Sequence, residues 1–136
     1  MNDAARFATA GVVAAMAWSL LEPVDRRLFR YDYSDVAVLG KFVTRGSAWR
    51  PIGLVLHAAN GAAFALGYRE AKRRCGWSAF RLAMLEHLAL YPLSALVDRR
   101  HPARGSAGVP KLLTPRAFVQ ATVRHAVFGA VLGRLA

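Results

Sequence analysis

The stretch from Trp49 to Tyr68, WRPIGLVLHAANGAAFALGY, decides how the rest of the chain is read. From Pro51 to Tyr68 it carries no formal charge. It opens with proline at a natural first helical position, and it is bracketed by two aromatic residues of the kind that sit at membrane–water boundaries. At 1.5 Å per helical residue those aromatics lie roughly 28 Å apart, close to the thickness of a hydrocarbon core. A membrane span over residues 51–68 is therefore expected.

Three further segments can be read outward from this one. Phe7 to Leu21 is uncharged, and the neighbouring Ala4, Ala5 and Glu22 extend it to a spanning length over 4–22, with Pro23 expected to end the helix. Ser78 is a natural N-cap for a third segment, 78–97, interrupted by Arg81, Glu86 and His87 and expected to bend at Pro92. Thr114-Pro115 opens a fourth, 115–136, with Arg124 and His125 in its middle. A charge at the centre of a lone inserted helix costs about 2.5–3.5 kcal/mol, so the last two segments can enter lipid only if their charges meet inside a bundle.

Composition agrees. The 136 residues are 55% hydrophobic yet carry a formal charge of +11, with a mean hydropathy of +0.25. The basic residues fall in blocks from Arg26 to Arg50, Arg69 to Arg74 and Arg99 to Arg116, which separate the apolar runs. A nucleic-acid partner would need those cations on one folded face, so none is expected, whereas basic loops suit anionic lipid headgroups. The expected architecture is all-α: one domain, residues 1–136, forming an integral membrane four-helix bundle that crosses the cell (plasma or inner) membrane several times.

The first loop, about 27 residues, is long for a bundle of this size and is expected to hold structure. Ser34 and Asp35 can cap a run from Val36 to Val43 in which Val36, Leu39 and Val43 share a helical face, giving a short interfacial helix. Glu22, beside Pro23, Asp25, Arg26 and Arg27, reads as a solvated interfacial carboxylate, and Tyr31 and Tyr33 as headgroup contacts. The segment His101 to Pro110 is expected to be irregular and mobile. Loop charge places both termini outside the cytoplasm. Ala15-Met16-Ala17 resembles a signal-peptidase site, but Asp3 beside Arg6 leaves no positive excess ahead of it, and an uncleaved first span is expected. Cys75 is the single cysteine and cannot form a disulfide within the chain.

Ionisable side chains inside spans are functional candidates, because lipid offers them no partner. Counting helical rise from the segment starts brings His57, Asn60, Glu86, His87, Arg124 and His125 to a common layer. Its simplest organisation is a Glu86–Arg124 ion pair completed by His57, Asn60 and His125. Such a layer serves either as interhelical glue or as a proton or ion pathway in which Glu86 titrates and a histidine relays.

Histidines at matched depth also allow a haem- or metal-binding redox protein through His57 and His125. Ala58, Ala59 and Gly61 would leave room, and Arg50 or Arg116 would serve the propionates. No metal or haem-attachment motif accompanies them, so no cofactor is the first expectation. Gly129 and Gly133 form a small-residue pair on the last span, and Ala4, Ala8, Gly11 and Ala15 a smooth face on the first, for packing within the bundle or in a homo-oligomer. Phosphate-loop, dinucleotide, nucleophile-elbow and zinc-protease motifs are absent. The functional expectation is thus non-enzymatic: an accessory or structural subunit, or a transporter of small solutes or protons.

Overall fold

The structure is a computed structural model that describes residues 2–136. It is all-helical, without a β-strand among the described residues. The helix starts follow local chemistry. Asn2 accepts from the Ala5 N–H at the head of α1 (Asp3–Leu28), Ser34 caps α2 (Asp35–Val43), and Thr114 caps α6 (Pro115–Leu135). α3 (Trp49–Cys75) ends at Gly76, whose φ of 66° is the left-handed conformation that closes a helix most cheaply in glycine.

Ser78 caps α4 (Ala79–Leu90). At Pro92 the chain tightens into one 3-10 turn, Tyr91–Leu93, and then continues as α5 (Ser94–Arg100). The proline thus tightens the helix without ending it, and Ala79–Arg100 forms a single 22-residue rod. Pro23 behaves similarly and corrects the expected boundary. It leaves the Ser19 carbonyl without its usual helical partner, yet α1 continues to Leu28, with buried Glu22 just before the proline and buried Asp25 just after it.

The four long helices alternate in direction. α1 and α3 pack antiparallel with Phe7 against Tyr68 and Trp18 against His57, their ring centroids 5.8 and 5.4 Å apart. Between these aromatic contacts the backbones nearly touch: a Cβ placed on Gly11 would lie 2.1 Å from the Gly61 carbonyl oxygen. α2 folds back along the start of α3, with Gly53 under the Val36 carbonyl and Gly40 under that of Trp49. α6 lies on the other flank of α1, and α4 lies on α6, where Gly129 receives the Phe80 backbone and Ala83. The Gly129–Gly133 pair is therefore spent inside the chain, on α4.

The helices follow one another in space as α3, α1, α6, α4, and α3 and α4 barely touch. A cleft remains between them. At one end, α2 meets the irregular segment after α5: His101 Nε2 donates to the Val38 carbonyl (2.9 Å) and Lys41 Nζ to that of Ala107 (2.6 Å). That segment is irregular as expected, but it is tied down, with Asp98 also accepting from the Leu112 and Leu113 N–H groups. The opposite end gathers both chain ends, where Arg69 pairs with Asp3 (2.6 Å) and Lys72 reaches the Ala136 carbonyl.

Two helices, Asp3–Leu28 and Ala79–Arg100, are long and apolar enough to cross a membrane. α3 and α6 are long enough but less apolar, because His57 and Asn60 interrupt one and Gln120, Arg124 and His125 the other. Length and composition thus support two of the four expected spans.

The glycine seam generates a prediction. Gly11→Val should cost about 2 kcal/mol or more, since backbone cannot move aside, while Gly67→Ala, which meets nothing within 4 Å, should be neutral or stabilising by up to about 1 kcal/mol. Thermal unfolding of the two variants in detergent checks the contrast.

Candidate functional site

Arg124 is the only buried lysine or arginine among the described residues, at 3% exposure. It lies mid-helix on α6, where its guanidinium can reach water only by unfolding, so its donors must be met inside. Asp25 on α1 takes two of them in a fork through Nε and Nη2, the latter at 2.7 Å. Asp35 accepts from Nη1 (2.6 Å), the Tyr33 carbonyl from Nη2 (2.8 Å), and Glu22 stands at 3.8 Å. The Tyr33 ring lies under the cation, 4.8 Å from its carbon, and Gln120 donates to Asp25 (2.9 Å).

This overturns the expected Glu86–Arg124 pair: the partners come from α1, the loop after it and the head of α2. Glu22 is not a solvated boundary carboxylate either. At 6% exposure it accepts from the Ser34 hydroxyl (2.6 Å) and the Asp35 N–H (2.9 Å), placing an anion at the α2 N-terminus. Nor is Tyr33 a headgroup contact, since its hydroxyl donates to Asp35 (2.5 Å). Burial opposes charge on Asp35, but the Arg124 guanidinium prevails and holds its carboxyl below the usual range. Burial, followed by the Asp35 charge, pushes the Tyr33 hydroxyl well above its ordinary range, so it stays a donor.

The other expected polar residues gather elsewhere. His57, Asn60, Glu86, His87 and His125 all line the cleft between α3 and α4, a cavity of about 190 Å³. On the α1 and α6 side the lining mixes the small Ala15, Ala117 and Ala121 with the larger Trp18, His125 and Phe128. Asp35 and Tyr33 form its end wall, between the cleft and Arg124. Asn60 lies exposed at the lip. Glu86 is half-buried and has neither ion-pair nor hydrogen-bond partner among the described residues. Two carboxylates, Asp35 and Glu86, and three imidazoles thus face the cleft, and no lysine or arginine does.

Hydrogen bonding fixes which imidazole nitrogens face a ligand. His125 Nδ1 is 2.8 Å from the Ala121 carbonyl, which can only accept, so the proton is on Nδ1 and Nε2 is an acceptor. The Thr122 hydroxyl spends its proton on the Phe118 carbonyl (2.8 Å), so His87 Nε2, also 2.8 Å from that hydroxyl, must donate to it. This leaves His87 Nδ1 as an acceptor, on a ring 4.9 Å from that of His125. His57 Nε2 is buried without any partner.

For the haem- or metal-binding alternative, Trp18 fills the space between the two histidines, its ring centroid 5.4 Å from that of His57 and 4.9 Å from that of His125. A flat macrocycle between them would have to expel this buried indole. His, Cys, Asp and Glu side chains do not converge in threes around a point where a metal ion could sit, among the described residues. Asp25, Asp35, Glu22, Tyr33 and Gln120 are the site residues that sequence reasoning missed. The available signal was the Glu22–Asp25 spacing, which puts two carboxylates on one helical face once the helix passes Pro23.

Comparison with family models, curated proteins and solved structures found no match, so the chemistry rests on the geometry. That geometry predicts that Arg124→Ala will cost about 3–5 kcal/mol by stranding buried carboxylates, and that Arg124→Lys will recover little, because an ammonium cannot make the fork to Asp25. Glu86→Gln should stay within about 0.5 kcal/mol of the parent, having no partner to lose. Chemical denaturation of the three variants measures all of this.

Proposed function

We propose that this chain is a small four-span membrane protein that carries a small cation, the proton included, through the cleft beside Glu86. The observation that carries the reading is charge placement. In a chain of net charge +11 the cleft is lined by two carboxylates and three imidazoles, with no lysine or arginine. Arg124 is already shared among Asp25, Asp35 and Glu22, so the interior holds four carboxylates, Glu86 included, against one cation. A carboxylate left without a partner in such a place calls for a positive charge from outside.

Several features favour lipid around the bundle. Large apolar side chains point outward on all four long helices: Val13 and Leu20 on α1, Val55 and Leu66 on α3, Leu85 and Leu88 on α4, Val119 and Val123 on α6. A water-soluble helical domain would bury most of its apolar stretches, yet the two most apolar windows are only 33% and 11% buried. α3 and α6 are long enough to cross beside them, and their polar residues turn to the cleft and the Arg124 network instead of outward. On this reading the basic loops lie in the headgroup regions, where anionic lipid attracts them. The Arg124 network then supplies the interhelical glue, and the cleft supplies the function.

The test uses proteoliposomes. A pH jump across the membrane should drive proton movement that Glu86→Gln abolishes and Glu86→Asp largely retains; indifference to Glu86 would refute the carrier role. Cysteine labelling should reach Cys75 and a Ser106→Cys variant from opposite faces of the same vesicles, and same-face labelling would remove one span.

A further inference from the structure

Resting on the cation reading, we infer that the occupant of the cleft is an organic ammonium carrying an apolar substituent, admitted between α3 and α4. The first reason is donor and acceptor balance. Glu86, His125 Nε2 and His87 Nδ1 are acceptors, and His57 Nε2, on a residue 5% exposed, has no partner among the described residues. Against them the lining offers the Asn60 amide, the Tyr91 and Ser94 hydroxyls and the Trp18 indole N–H, the last buried without a partner among the described residues. Glu86 sets the balance: it is a carboxylate without a partner in a lining that holds no lysine or arginine, so a positively charged N–H donor suits it and an anion does not.

The second reason is spread. A metal ion demands ligands converging on one point at fixed short distance, and these side chains do not converge, among the described residues. They are distributed instead around about 190 Å³, room for several heavy atoms. An ammonium accepts such dispersed partners because its separate N–H bonds point in different directions.

The third reason is the remainder of the wall. Val38, Leu39, Phe64, Leu90 and Phe128 are apolar, and the Tyr91 ring stands near the mouth. They match an alkyl or aryl substituent attached to a cationic head, and an aromatic face adds attraction for the charge itself. α3 and α4 barely touch, and Leu90, which lines the cleft, is also exposed to the surroundings. An amphipathic amine dissolved at a membrane boundary can enter there with its head toward Glu86.

Binding of phenethylamine to the purified full chain in detergent, measured by calorimetry at pH 7, tests the inference. Phenethyl alcohol serves as the neutral isostere and potassium as the bare cation. The amine should bind saturably and at least about tenfold tighter than the alcohol, Glu86→Gln should weaken it by about tenfold or more, and Glu86→Asp should keep it within a few-fold. Melting curves of both variants identify any loss due to unfolding, and the amine-to-alcohol ratio in the unaltered protein needs no variant. Equal binding of amine and alcohol, displacement of the amine by potassium at matching concentration, or indifference to Glu86 in a folded variant would overturn it. Absence of amine binding alongside Glu86-dependent proton movement in vesicles would overturn this inference and leave the cation reading standing. Loss of both would remove both.

Discussion

The fold depends on a single buried guanidinium. Placing an arginine mid-helix on α6, with residues too short to carry it to water, requires carboxylates to come to it, and they come from three separate pieces of chain. Asp25 brings the last turns of α1, Tyr33 brings the loop, and Asp35 brings the head of α2. Glu22 then joins two tasks, standing near the cation and receiving the Asp35 N–H and the Ser34 hydroxyl at the head of α2. The short helix is held in its reversed course beside α3 by this network at one end and by the glycine contacts of Gly40 and Gly53 along its length.

The cleft is a consequence of the same arrangement. Because Arg124 turns toward α1 and α2, Glu86 on α4 is left without a counter-charge. The space lies where α3 and α4 barely touch, with Ala15, Ala117 and Ala121 among the residues that line it. Charge is thereby sorted within one small molecule: four of the eight acids lie inside, while eighteen of the nineteen lysines and arginines lie outside the core. A cation entering the cleft finds attraction that the loops would not offer it, and an anion finds the reverse.

Much of this was legible in the sequence. Ser34, Ser78 and Thr114 announced three helix starts through their capping chemistry, and each side chain accepts the expected backbone N–H. Helical rise alone brought His57, Asn60, Glu86, His87 and His125 to one depth, and the fold puts all five on one cleft. What could not be read was the partner of Arg124. Taking Pro23 as a stop leaves Glu22 and Asp25 in solvent, whereas in the structure α1 runs past the proline and turns both carboxylates toward Arg124. Composition supports only two of the four expected spans for a related reason: flanking aromatics mark length, while His57 and Asn60 lower the apolarity of α3.

Two double-mutant cycles measured by denaturation of the same preparation, one on Asp25 with Arg124 and one on Glu86 with Arg124, address the buried cation most directly. Coupling of about 1.5 kcal/mol or more in the first and within about 0.5 kcal/mol of zero in the second is the expected result. A second coupling as large as the first would mean that Glu86 is the true counter-ion of Arg124, and the free carboxylate in the cleft would no longer exist.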